Sequence, residues 1–350
     1  MERRVRPYLA LLLVLLSTPR WMGDERRVAL EGPVALRAER VALDPARPGR
    51  RRVGALRFEG GVALASDARG FGGYSALAVE GDRFTLLGDG GGTLSFRMGA
   101  DWRPRVAFAR DLPAGPRTGW PKGDRDAESL AHDPGTGRWW VGFENWHQIW
   151  RYGPGLVRAE RGRGPRAMRR WPDAGGLESL ARLADGRFVG IGESARPPRG
   201  RDGKRPPGRD GLIFPGDPTD ARARPARFIY RPARGFHPVD LAELPDGHVL
   251  VLERAFRLPF RWSTRLALVE RGAIRPGAVV AGRTLAMLAA PLVHDNFEGL
   301  AVAREGGRTV VWIVSDDNQL ALQRTLLLKF GLDAQSSPGG GGGRRSRTEG

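Results

Sequence analysis

At 350 residues with 41% hydrophobic side chains, the chain is long enough to bury a sizeable core in one large domain or two small ones. It contains no cysteine, which excludes disulfides, a lipidated cysteine, thiolate metal ligands and a cysteine nucleophile. Basic residues exceed acidic ones by 57 to 39, a formal charge of +18, but no nucleic-acid-binding motif accompanies them, so nucleic acid is not expected, while an anionic small-molecule substrate or a polyanionic surface is compatible.

The first element, residues 1–23, reads as a signal peptide or N-terminal anchor. Arg3, Arg4 and Arg6 form a basic start and residues 9–16 an apolar stretch too short for an ordinary membrane helix. This predicts export to the bacterial periplasm or beyond. The cleavage region STPRW lacks a small-x-small pattern, so an uncleaved anchor stays open; with cleavage, the mature chain has no membrane span.

Two strand-like segments follow, 34–43 and 53–66. Five repeats come next: YSALAVEGDRFTLLGD (74–89), ESLAHDPGTGRWWVGFE (128–144), ESLARLADGRFVGIGE (178–193), DLAELPDGHVLVLE (240–253) and EGLAVAREGGRTVVWIVSD (298–316). Each has a strand, a glycine-bearing turn and a second strand, which is a hairpin signature. Repetition at a period above ~50 residues predicts an all-β fold, a single β-propeller over residues 34–332. The third strands of successive blades are expected at 93–98, 148–152, 227–231, 265–269 and 325–330. Segments 34–43 and 53–66 would build a sixth blade, with five or seven blades as alternatives. Residues 194–226, rich in Arg, Pro and Gly, read as a loop on the rim, and 336–350 as a disordered tail.

An acid opens and closes most repeats. Both ends of a hairpin lie on the same side, so Glu128, Glu144, Glu178, Glu193, Asp240, Glu253, Glu298 and Asp316 are expected on one propeller face, with Asp89 and Asp317 nearby. Crowded carboxylates raise one another's pKa unless a cation sits among them, and Ca2+ suits an all-oxygen set. The plainer reading is that single acids cap turns. Arg254 and Arg257 are candidate anchors for a substrate anion. His237 and His294, close to Asp240 and Glu298, are candidate catalytic bases. No G-x-S-x-G, HExxH or phosphate-loop motif is present.

The run FEGGVALASDARGFGGYSALAV (58–79), together with DAESLAHDPGTGRWWVGFEN, GGLESLARLADGRFVGIGES, DLAELPDGHVLVLERAF and DNFEGLAVAREGGRTVVWIVSDDNQ, resembles the phytase-like family of exported bacterial proteins with esterase-like activity. The resemblance implies a propeller related in architecture to calcium-dependent alkaline phytases, acting on phosphoesters or carboxylesters. The first repeat departs from the family's pattern at Tyr74-Ser75-Ala76, where a glycine-containing step is more usual, and so lacks its opening acid. Two readings remain: an exported, metal-assisted ester hydrolase working as a monomer, or a non-catalytic propeller that binds a ligand or protein on the acidic face.

Overall fold

The computed structural model describes residues 28–332 apart from 120, 259–260 and 321; the expected signal segment and tail lie outside the described residues. Each repeat forms the hairpin its alternation predicts. In the third, for example, Leu177–Arg182 and Phe188–Gly192 are largely buried, and Gly186 takes the positive φ of 87° that the turn between them needs.

Five antiparallel blades result. The first contains Tyr74–Glu80, Arg83–Gly88, Gly92–Met98 and Pro104–Asp111, edged by Gly32–Pro33. The second contains Ala127–Asp133, Arg138–Phe143, Gln148–Tyr152 and Ala159–Arg163. Leu177–Arg182, Phe188–Gly192, Arg209–Phe214 and Ala226–Tyr230 make the third, with Val279–Val280 added in parallel at its edge. His237–Glu243, Val249–Arg257, Arg261–Val269 and Arg283–Leu288 make the fourth, and Phe297–Glu305, Arg308–Ser315 and Thr325–Leu332 begin the fifth. The five inner strands pack side by side, and the last returns to the first.

The fold is thus the expected single all-β propeller, but with five blades rather than six. Leu56–Ala65 and Arg37–Arg40, expected in a blade of their own, are outer strands of the fifth. Leu56–Ala65 pairs with Thr325–Leu332 from Leu64↔Thr325 to Leu56↔Leu332. The reason is that the N-terminal segments bring no inner hairpin, whereas Thr325–Leu332 would otherwise present an unpaired, largely apolar edge. A second correction concerns residues 194–226. The run RDGLIF inside it is the buried third strand Arg209–Phe214, and the segment expected as third strand, near 227–231, is the fourth.

Polar ties join neighbouring inner strands. Ser75 Oγ donates to Ala127 O at 2.7 Å, Ser129 Oγ to Leu177 O at 2.9 Å, and Leu300 N–H to Asp240 Oδ2 at 2.7 Å. Apolar side chains fill the space between blades, as where Phe58, Leu252, Phe297, Leu328 and Phe330 meet around the closing ladder.

Leu328 is fully buried in that ladder. Leu328→Ala is expected to cost about 2–5 kcal/mol, read as a lowered denaturation midpoint. A cost below about 1 kcal/mol would mean that the closing strand does not carry the core.

Candidate functional site

A β-bulge interrupts the ladder between inner and second strand at one equivalent point in each blade. The residue left out of register is Ser75, Glu128, Glu178, Val239 or Glu298 in turn. A bulge re-aims its side chain, and here it recurs at the ring axis. The fourth blade breaks the pattern: Val239 holds the position of the opening acid, and Asp240 lies one residue further along. On the second strands, Asp89, Glu144, Glu193 and Asp316 follow the residues that pair beside the bulge, whereas in the fourth blade Glu253 still pairs with Pro238 and it is Arg254 that comes next. One residue of register turns a strand side chain to the opposite face.

Arg254 therefore sits among the carboxylates. Its Nη1 donates to Asn296 Oδ1 at 2.7 Å and to Glu298, and its Nη2 lies 3.2 Å from Glu193 and 3.9 Å from Glu178. Lys122 donates to Asp89. Asp126, Glu128 and Glu144 each offer an oxygen within 4.8 Å of the others, and among the described residues none of the three makes a salt bridge. Glu144 is fixed by the backbone N–H groups of Gly175 and Gly176, which both donate to its Oε1. Gly175 has φ of 83°, and a Cβ there would meet Ser194 Oγ at 2.3 Å, so only glycine allows this approach.

Burial, followed by crowding, governs the charges. Burial raises Glu128 well above the usual range, with Asp126, Glu178 and Glu144 adding to it. Glu178 is likewise raised by burial and by Glu193, against Arg254. Burial pushes Glu144 up to about 7, with the Gly176 N–H opposing, and Asp126 to about 6, with Lys122 opposing. Asp316 rises to about 7 through burial and Asp89. Glu193 moves the other way: burial would raise it, but Arg254 and His237 outweigh burial.

Of the residues singled out in the sequence, the structure brings Glu128, Glu144, Glu178, Glu193, Glu298 and Asp316 together with Arg254. It does not bring Asp240 and Glu253 to them. Asp240 accepts from the Leu241 and Leu300 N–H groups between blades, where burial raises its pKa. Glu253 is buried against Arg265, two contacts of 2.8 Å, and accepts from Tyr230 Oη at 2.5 Å. Arg257 is exposed beyond the ring. Arg254 is committed to carboxylates, which makes it an internal counter-charge rather than a free anchor. His237 Nδ1 lies 3.6 Å from Glu193 on the rim, and burial lowers its pKa. His294 Nδ1 donates to Leu292 O at 2.7 Å, which leaves Nε2 as its accepting nitrogen. Sequence reasoning passed over Asp126, Lys122 and Asn296. Asp126 had a signal, standing two residues ahead of Glu128; nothing local marked the other two.

A family model described as phytase-like, esterase-like activity of phytase, matches residues 69–319. No curated protein matches the chain. Among solved structures, the β-propeller domain of Cps50 (Swd1) from Myceliophteria thermophila is 8% identical, with 78% of this chain and all of that one covered at TM-score 0.39. The WD40 repeats of RRP9 are 10% identical, with 87% and 99% covered at TM-score 0.40.

Carboxylates with raised pKa values bind protons more tightly in the folded than in the unfolded chain. Their contribution to stability is full below the ordinary carboxylate range and is lost as pH rises through about 6 to about 7. In chelator, the melting temperature is expected to fall from about pH 5 to about pH 8, and Ca2+ to offset that fall increasingly as pH rises. A melting temperature that climbs over this range in chelator would contradict the charge assignment. Glu253→Ala, which strands buried Arg265, is expected to cost about 3–5 kcal/mol in denaturant melts while leaving the calcium response unchanged.

Proposed function

The chain belongs to the phytase-like family, and from that membership together with the acidic ring we propose that it is an exported, metal-assisted ester hydrolase. The observation that carries this reading is the cluster of Asp126, Glu128 and Glu144, three oxygen donors within 4.8 Å with no arginine committed to them. Oxygen-only donors in a partly buried wall suit a hard divalent cation such as Ca2+. A cation bound there would polarise a phosphoryl or carbonyl oxygen and acidify a water.

The chain's own residues do the rest. The Gly175 and Gly176 N–H groups fix one oxygen of Glu144 and leave the other for the cation. Arg254 offsets Glu178, Glu193 and Glu298, so the opposite half of the ring stays ordered without a second ion. His237, half-exposed on the rim and held toward its neutral form by burial, can accept a proton from water attacking the ester. Arg209, half-buried and near Glu193 and Arg196, can offer its guanidinium to a substrate anion at the same rim. The N-terminal pattern of Arg3, Arg4, Arg6 and the apolar residues after them supports export to the periplasm or beyond.

A second reading, a propeller that binds without turnover, draws support from the Arg254 network, since half of the ring is neutralised from within. A panel of phosphomonoesters, phytate and short acyl esters, assayed with Ca2+ and with chelator, separates the two. Hydrolysis of at least one class is expected with Ca2+, falling on the order of 100-fold in chelator or in Glu128→Gln. Calcium binding without turnover of any ester would favour the binding propeller. Turnover indifferent to chelator would remove the cation from the proposal.

A further inference from the structure

The central hairpin of the fourth blade is longer than its sheet. The inner strand pairs only as far as Arg254 and the outer strand only as far as Thr264. Val249–Arg257 and Arg261–Val269 nonetheless go on pairing with each other through Ala255↔Ser263, Phe256↔Trp262 and Arg257↔Arg261. These last pairs form a free two-stranded ribbon on the carboxylate face. At ~3.3 Å per residue it stands about 10 Å beyond the ring. In the second blade the corresponding hairpin turns directly after Phe143↔Gln148.

The ribbon's side chains are poorly suited to water. Phe256 is 45% and Leu258 84% exposed. Phe256 packs on Trp262 at 4.6 Å between ring centroids, and Trp262 in turn lies 5.8 Å from the Arg254 guanidinium. The loop that leaves Asp316 on the same face adds Leu320 and Leu322, 53% and 83% exposed. Large apolar residues exposed together on one face mark an interaction surface, and a lone two-stranded ribbon is marginal in water.

Charge and shape select the occupant. Arg257, Arg261 and Arg324 are exposed on these two loops, residues 255–264 include no acid, and the two acids of the second loop are turned to the protein, Asp316 buried and Asp317 accepting from Gly73 N–H at 2.9 Å and Thr325 Oγ1 at 2.8 Å. A projecting tip fits a surface that yields to it, whereas a small molecule needs a concave site. Aromatic and aliphatic side chains flanked by arginine suit the boundary between lipid headgroups and acyl chains, where guanidinium groups meet phosphates. We propose that this face docks on an anionic lipid bilayer, with Phe256, Leu258, Leu320 and Leu322 entering the headgroup boundary and the three arginines meeting lipid phosphates. The inference does not depend on hydrolysis at the ring.

Vesicle sedimentation of the full chain tests it, using phosphatidylcholine with and without phosphatidylglycerol. The parent protein is expected to bind the anionic vesicles and to retain part of that binding in about 1 M salt, where the screening length is roughly 3 Å. The Phe256→Ser, Leu258→Ser pair is expected to lose roughly tenfold or more in affinity. Val106→Ser, which removes an 82% exposed apolar residue from the first blade, should change nothing. Melting curves check that each variant folds, and Leu258→Ser alone stands in if the pair does not. All variants share the apolar residues 9–16, so differences between them report the ribbon alone. The proposal is overturned if the parent fails to bind, if the tip variants bind as the parent does, or if all binding disappears in salt. Tip-dependent self-association without vesicle binding would also overturn it.

Discussion

Glu178, Glu193 and Glu298 all reach the guanidinium of Arg254, and Asn296 completes its shell. Two like charges 4 Å apart repel by about 4 kcal/mol at an effective dielectric near 20, so a ring of buried carboxylates cannot ionise fully by itself. Arg254 relieves one half of it. Lys122 relieves Asp89, and the part around Asp126, Glu128 and Glu144 is left with proton affinities well above the ordinary. The uneven distribution of positive charge is what turns a symmetric ring into a one-sided site.

That asymmetry depends on the propeller closing. The bulges bring acids to the axis only because five inner strands surround it, and the strands stay in place because the two ends of the chain share one blade. Ser129 and Asp240 tie inner strands across blade boundaries from the position that Ala76 and Gly299 hold in other blades, and Ser75 does so from the bulge itself. Asp240 thus serves the frame, and its raised pKa reflects that burial rather than membership of the ring. Glu253 does the same on the outer side of its strand, where Arg265 and Tyr230 hold it.

The fourth blade departs from the others in three linked ways. Its bulge holds valine, its second strand presents arginine in place of an acid, and that strand runs on past the sheet into the ribbon. The cation–π approach of Arg254 to Trp262 connects the last two, joining the charge network to the apolar tip. The residue that neutralises the ring therefore also anchors the element that rises above it.

The sequence by itself determined the propeller, since five hairpins with alternating burial and glycine turns can hide their faces only against one another. It also determined the recurrence of Glu128, Glu178 and Glu298 at one point of the repeat, because rotation about an axis places equivalent residues together. Tertiary structure alone decided the blade count, because whether Leu56–Ala65 founds a blade or completes one depends on an edge more than 250 residues away. It decided too that Asp240 and Glu253 face away from the ring. Aligned on the shared Leu-Ala pair, Asp240 stands where Ser129 and Ser179 do and Arg254 lies as far past Gly247 as Glu193 past Gly186, but only the strand pairing shows that this one-residue step turns the side chains to the other face. The partners of Arg254 come from the third, fourth and fifth blades, and contacts between distant segments of this kind leave no spacing in the chain from which they could be read.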